Sequence, residues 1–313
     1  MVDGLAGPGF YPQPNEYTCG PFALKHALIA LGRMADAAEI STTAKTHWWA
    51  GTNEIQLARA ARAFECDLVL ERTTDPEQVR KILTKHLREQ TPVLLCVDEW
   101  SHWITVLRAE DRRFVVVDST DDPLLSVKTW PQLRNWWRYH DTDYVKENPP
   151  TLYDMMAVTP RFRTTVKGDF SVERVKFLRR PENRRLGRHW NEYLEDLLEI
   201  CKPPSVRIVE PLSMGEFLRR HQELLLSRVV YWHGKITKED ASRVLRDMRF
   251  VSETYGLVIP ASASRRALAD LAILVAMWAC AQRGVGPMFG SPGLETVVEP
   301  KAAKKRRKKK LAT

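Results

Sequence analysis

The chain has no apolar run long enough to cross a membrane as a helix. Its longest, Ala267 to Ala281, is interrupted by Asp270 and falls short of the about 20 residues a bilayer demands. Nothing after Met1 combines a basic stretch with an apolar core, so no signal peptide is expected. Cysteine is scarce: five in 313 residues, an odd number scattered through apolar runs, which argues against a disulfide framework and for a reducing interior. A soluble cytoplasmic protein is the expectation. There is no Cys-x-x-Cys, and His189, His221 and His233 stand too far apart in sequence to form a tight ligand pair. No metal or organic cofactor is expected.

What is present is the composition of a folded protein, 44% hydrophobic and 28% charged. The net charge of +9 is unevenly placed: eight of the positive charges lie between Lys301 and Lys310, with no acid among them, so the rest of the chain is almost neutral. This tail is expected to be disordered and to make non-specific contact with polyanions, a composition shared by nuclear-import clusters and simple solubility tails. A second cluster, Arg179, Arg180, Arg184, Arg185 and Arg188, has Glu182, Glu192, Glu195 and Asp196 close by, and is read as a solvated helix face.

Periodicity divides the chain. Leu24, Ala27, Leu28 and Leu31 recur at helical spacing behind Pro21, and Thr52 to Phe64 repeats the pattern. Asp75 with Gln78 caps a further helix that buries Val79, Ile82, Leu83 and Leu87. Pro92 to Asp98 reads as a continuous apolar run of strand length, the mark of a strand covered on both faces. Ser101 to Leu107 and Arg113 to Asp118, joined by polar residues, predict a hairpin. Short strands are expected at Cys66 to Leu70, Leu124 to Val127 and Tyr153 to Val158. Beyond these, Val172 to Leu178 and Val206 to Val209 read as strands, Val229 to Trp232 as a strand pairing with Leu257 to Ile259, and Leu186 to Ile200 as one helix. Three parts follow: residues 1–165 helix-rich at the front and sheet-rich at the back, 166–290 mostly helical, and the basic tail 291–313.

The chemistry gathers around Gln13 to Pro21. A thiol at the first turn of a helix feels the partial positive charge of unpaired N–H groups, which favours the thiolate and makes Cys19 a candidate nucleophile. Such a nucleophile needs a base, a group to orient the base, and donors for the oxyanion. His102 opens one strand of the predicted hairpin and Asp118 closes the other, so the two can meet. Gln13, in a loop six positions before Cys19, carries an amide that can face an oxyanion. Trp100 and Trp103 flank His102 and can wall a peptide subsite, or equally anchor a core. Cys66, Cys96, Cys201 and Cys280 sit in apolar runs and read as small buried hydrophobes.

The order Gln, then Cys-Gly-Pro opening a helix, then His-aromatic opening a strand, then Asp closing the next resembles the papain-like cysteine peptidases. It is most similar to their C39-like, bacteriocin-processing group, over residues 10 to 160. The resemblance implies an α+β fold of N-terminal helices packed on an antiparallel sheet, with Gln13 at the oxyanion hole, Cys19 as nucleophile, His102 as general base and acid, and Asp118 orienting the imidazole. Thr18, Trp103 and Ser119 depart from the residues common in that group. Some of its members cut leader peptides after paired glycines and are joined to an export ATPase; this sequence has no Gly-x-x-x-x-Gly-Lys loop, so an exporter is not expected. Hydrolysis of a peptide or isopeptide bond in a protein substrate is the favoured function. Acyl transfer to an amine, as in papain-like acyltransferases and transglutaminases, uses the same residues. An inactive scaffold binding protein or nucleic acid is the rival from another class.

Overall fold

A computed structural model describes residues 7–142, 147 and 149–281. The basic tail 291–313 lies outside the described residues. Behind a short 3-10 turn, Glu16–Thr18, three helices follow: α1 (Cys19–Ala30), α2 (Ala37–Ala44) and α3 (Glu54–Ala63). Asp36 caps α2 through the N–H of Ala38, and Asn53 with Gln56 forms a reciprocal capping box on α3, which satisfies donors a helix start leaves unpaired. After β1 (Cys66–Thr73) comes α4 (Pro76–Arg88). The Asp75 carboxylate caps it through the N–H groups of Glu77 and Gln78, and it buries Val79, Leu83 and Leu87, while Ile82 of the predicted stripe is only partly buried.

The sheet is antiparallel throughout, built from β1, β2 (Val93–Val97), β3 (His102–Glu110), β4 (Arg113–Val117), β5 (Leu125–Thr129), β6 (Tyr139–His140) and β7 (Thr151–Pro160), with α5 (Trp130–Trp137) between β5 and β6. Its order is β1-β7-β2-β3-β4-β5, with β6 beside β7. The last strand of this sheet in sequence, β7, therefore sits inside it, between β1 and β2. All of β2 is buried, as a strand covered on both faces must be.

Helices α1 to α3 cover one face, where Leu24, Leu28, Leu57 and Phe64 pack against Cys66, Leu94, Trp103 and Met156. Under α4 and α5, Leu83 and Trp137 pack against Leu95, Ile104, Phe114 and Tyr153. The α+β architecture expected from the residues, helices on an antiparallel sheet followed by a mostly helical second half, is the one observed.

That second half comprises α6 (Val172–Leu178), α7 (Arg184–Arg188), α8 (Trp190–Ile200), β8 (Pro211–Ser213), α9 (Met214–His233), α10 (Lys238–Tyr255), β9 (Val258–Pro260) and α11 (Ser264–Ala281). Here several expectations are corrected. Val172 to Leu178 is a helix, because Ser171 caps it and Val172 and Val175 recur at helical spacing to bury one side. Val229 to Trp232 is not a strand but the last turn of α9; only Val229 is buried, while Tyr231 stands 81% exposed. Leu257 to Ile259 overlaps β9, which pairs with β8 instead, and Val206 to Val209 is irregular. The helix expected over Leu186 to Ile200 is broken at His189. The core of this half does not stop at residue 165: Trp190, Tyr193, Met214 and Tyr255 share one apolar cluster with Phe10, Ile29, Leu107, Val115 and Val117.

Candidate active site

Two tertiary ties bring the distant residues together. The register Thr105↔Val117 aligns the start of β3 with the residues just beyond β4, and there His102 Nε2 meets Asp118 Oδ1 at 2.7 Å. Thr105 Oγ1 also donates to the carbonyl of Ala23 at 2.6 Å, which clamps α1 onto β3. One helical turn before Ala23 is Cys19, and three residues before Thr105 is His102. The same clamp thus sets thiol and imidazole side by side, and the two side chains interact.

Burial would by itself push His102 down. The hydrogen bonds to Asp118 and Cys19, and the negative charge each can carry, outweigh it and hold the imidazole up at about 9. Asp118 is 2% exposed. Burial should raise it, but the bond from His102 and those from the Thr120 N–H (2.9 Å) and Thr120 Oγ1 (2.8 Å) hold the carboxyl below its usual range. With Nε2 committed to Asp118, Nδ1 is the ring nitrogen left for the sulfur.

Cys19 begins α1 in fact, and no side chain caps the N–H groups there. It is 5% exposed. Of the four cysteines read as buried hydrophobes, Cys66, Cys96 and Cys201 are buried, whereas Cys280 is only partly so. Burial pushes Cys66 and Cys201 up to about 12, and raises Cys96 as well. All five are free, and no cluster of three or more metal-ligating side chains occurs among the described residues.

Gln13 is half-buried and fixed at both ends. Its Nε2 donates to the carbonyl of Asn15 at 2.8 Å, and its Oε1 accepts from Ser119 Oγ at 2.6 Å. Its backbone N–H donates to the Ser119 carbonyl at 3.0 Å. One amide proton of the side chain remains to donate. Ser119, directly after Asp118, therefore ties the strand carrying the carboxylate to the loop carrying the amide. Sequence reasoning passed over it; its only signal was standing where proline is common in the resembled group.

The two tryptophans part company. Trp103 is 7% exposed within the α1–α3 core, its Nε1 donating to the Thr52 carbonyl at 3.0 Å. Trp100 stays half-buried, stacked on Tyr139 at 3.8 Å with Arg72 over its ring. Asp98, Glu99 and Trp100 have φ of 52°, 52° and 63° in succession, a left-handed run that non-glycine residues adopt at a cost of about 1 kcal/mol or more each. Glu99 holds the strained loop by accepting from the N–H and Nδ1 of His140, at 2.9 and 2.7 Å.

No family model matches the chain, and no curated protein does. Among solved structures it is similar to the peptidase domain of Streptococcus ComA, a bifunctional ABC transporter involved in a quorum-sensing pathway: 14% identity over 48% of this chain and 97% of that one, TM-score 0.37. It is similar to a double-glycine-motif protease from an AMS/PCAT transporter in complex with the leader peptide, at 14% identity over 51% and 96% of the two chains, TM-score 0.37. The peptidase domain of Streptococcus mutans ComA gives 13% identity over 48% and 98%, TM-score 0.31. The likeness is distant, of chain path alone, and confined to about half of this chain. No helix among the described residues is long and apolar enough to cross a membrane.

Proposed function

We propose that the chain is a cysteine peptidase that hydrolyses peptide or isopeptide bonds through Cys19, His102 and Asp118. The observation that supports this best is one imidazole engaged on one side by a buried carboxylate at 2.7 Å and on the other by a thiol at the start of a helix. In the first half-reaction Sγ, its proton held on His102 Nδ1, bonds to the scissile carbonyl carbon and the π pair moves to oxygen. The intermediate collapses as the C–N bond breaks, and His102 gives its proton to the departing amine, leaving a thioester. Water then attacks the thioester, His102 takes its proton, and the carboxylic acid and free thiol are released.

The backbone N–H of Cys19 and the remaining amide proton of Gln13 serve the oxyanion, each worth about 3 kcal/mol in sites of this type. Asp118 keeps the imidazole in the tautomer that presents Nδ1 to sulfur. Labelling the wild type and Cys19→Ala with a peptidyl vinyl sulfone, and mapping the adduct by mass spectrometry, tests the reading. A single adduct on Cys19, weakened by His102→Ala, is expected. A chain that turns over a peptide library equally well without Cys19 would remove it.

A further inference from the structure

Of the four acids beside the arginine cluster at 179–188, Glu182 is exposed and makes no ion pair among the described residues, and the other three turn elsewhere. Glu192 turns to His189 at 3.6 Å, Glu195 accepts from Tyr11 Oη at 2.5 Å, and Asp196 accepts from Trp278 Nε1 at 2.6 Å. Arg179 is committed to the Leu125 carbonyl at 2.9 Å. Arg180, Arg184 and Arg188 make no ion pair among the described residues, and all three line a cavity of about 890 Å³. That volume falls in the range of about 300–1,000 Å³ typical of ligand pockets. Its floor is apolar, with Phe10, Leu124 and Trp190, and the one carboxylate on its wall is Asp122.

The cavity adjoins the candidate active site through the chain itself. Pro12 lines it and precedes Gln13; Asp122 lines it and stands four residues from Asp118, a span of at most about 14 Å. Three guanidiniums without an ion pair, that of Arg180 lying over the Phe177 ring at 5.8 Å, stand over an apolar floor and favour a ligand that alternates carboxylates with apolar groups. Nucleic acid fits less well, because the aromatic residues on the floor, Phe10 and Trp190, are themselves buried and offer no open ring for stacking.

We propose that this cavity is a subsite for an acidic, partly apolar segment of the substrate peptide, its carboxylates held by Arg180, Arg184 and Arg188. The inference rests on the peptidase reading. To test it, full-length Cys19→Ala protein is titrated into a fluorescein-labelled peptide of repeated Glu-Glu-Leu, and anisotropy is compared with that of a Lys-Lys-Leu peptide. The acidic peptide is expected to bind, the basic one not. The exposed triple change Arg180→Gln, Arg184→Gln and Arg188→Gln should weaken binding at least about tenfold at unchanged melting temperature, while the basic tail stays the same in both proteins.

Equal affinity in the triple variant, or equal binding of the basic peptide, overturns the subsite. So does displacement by inorganic phosphate or by oligothymidylate acting through the same three arginines more strongly than the peptide, which would assign the cavity to a free anion or to nucleic acid. Alkylation of wild-type Cys19 by iodoacetamide is read separately. A reactive thiol with arginine-independent binding sinks the subsite alone, whereas an inert thiol with arginine-dependent binding sinks the peptidase reading and the substrate role with it.

Discussion

Replacing Asp118 with Asn keeps an acceptor for the two bonds from Thr120 but removes the charge that lifts His102. The imidazole, held at about 9 in the native protein, should then fall, since burial lowers it and only the contact with Cys19 still raises it. Because the folded value lies above the unfolded one, this stabilisation is complete below 6.5 and is lost as pH rises through about 9. At about 1.4 kcal/mol per unit, the lift is worth at most about 3 kcal/mol, part of it owed to Cys19 rather than Asp118. Lys25 pulls the other way. Its ammonium is buried against the Gly7 carbonyl at 2.7 Å, and burial lowers it from 10.5 to about 8, so stability gains as pH rises between those values. The raw profile mixes the two trends; the difference between wild type and Asp118→Asn isolates His102. Urea unfolding from about pH 5 to 10 should show a gap of about 2–3 kcal/mol below pH 6.5 that narrows steadily toward pH 10. A gap independent of pH over that window would refute the coupling of His102 to Asp118.

Three further outcomes are expected. Ser119→Ala frees the Gln13 amide to swing and should lower kcat about tenfold, roughly 1.4 kcal/mol, with KM changed less than about twofold in steady-state assays; an unchanged kcat would remove the positioning role of Ser119. Gly256 ends α10 at φ +65°, where a Cβ would lie 3.1 Å from the backbone of Lys167, so Gly256→Ala should cost about 1–2 kcal/mol in chemical denaturation. Trp137→Phe removes the buried bond from Nε1 to the Asp154 carbonyl at 2.7 Å and leaves a void; a loss of about 2–3 kcal/mol should appear as a lowered melting temperature.

The first half was legible because local signals and tertiary demands coincide there. Asp75 and Gln78 cap a helix whose stripe faces the sheet, and the unbroken apolar run of β2 needs cover on both sides. The order of elements also brought His102 and Asp118 together on paper, since a hairpin has few ways to close. In the second half the signals compete. Val172 and Val175 are β-branched and suggested a strand, yet the three-residue spacing behind Ser171 prevails once α6 packs on the sheet. Val229 to Trp232 looks continuous and apolar, but its aromatic residues point to water and only position 229 meets the core. The place of β7 inside the sheet could not be read at all, because strand order depends on long-range pairing with no local signature. Ser119 was missed for a similar reason: its partner lies 106 positions away.

Leu107, Val115 and Val117, on the sheet that carries His102 and Asp118, share an apolar cluster with Val172, Val175, Trp190 and Tyr193 of the second half. A fragment cut after residue 165 would retain Gln13, Cys19, His102 and Asp118 and still present a sticky face to its neighbours. Sequence changes deep in α8 or α10 should therefore show first in yield and solubility, long before any effect on turnover, and a shortened version would need a replacement cover before it could be assayed in isolation.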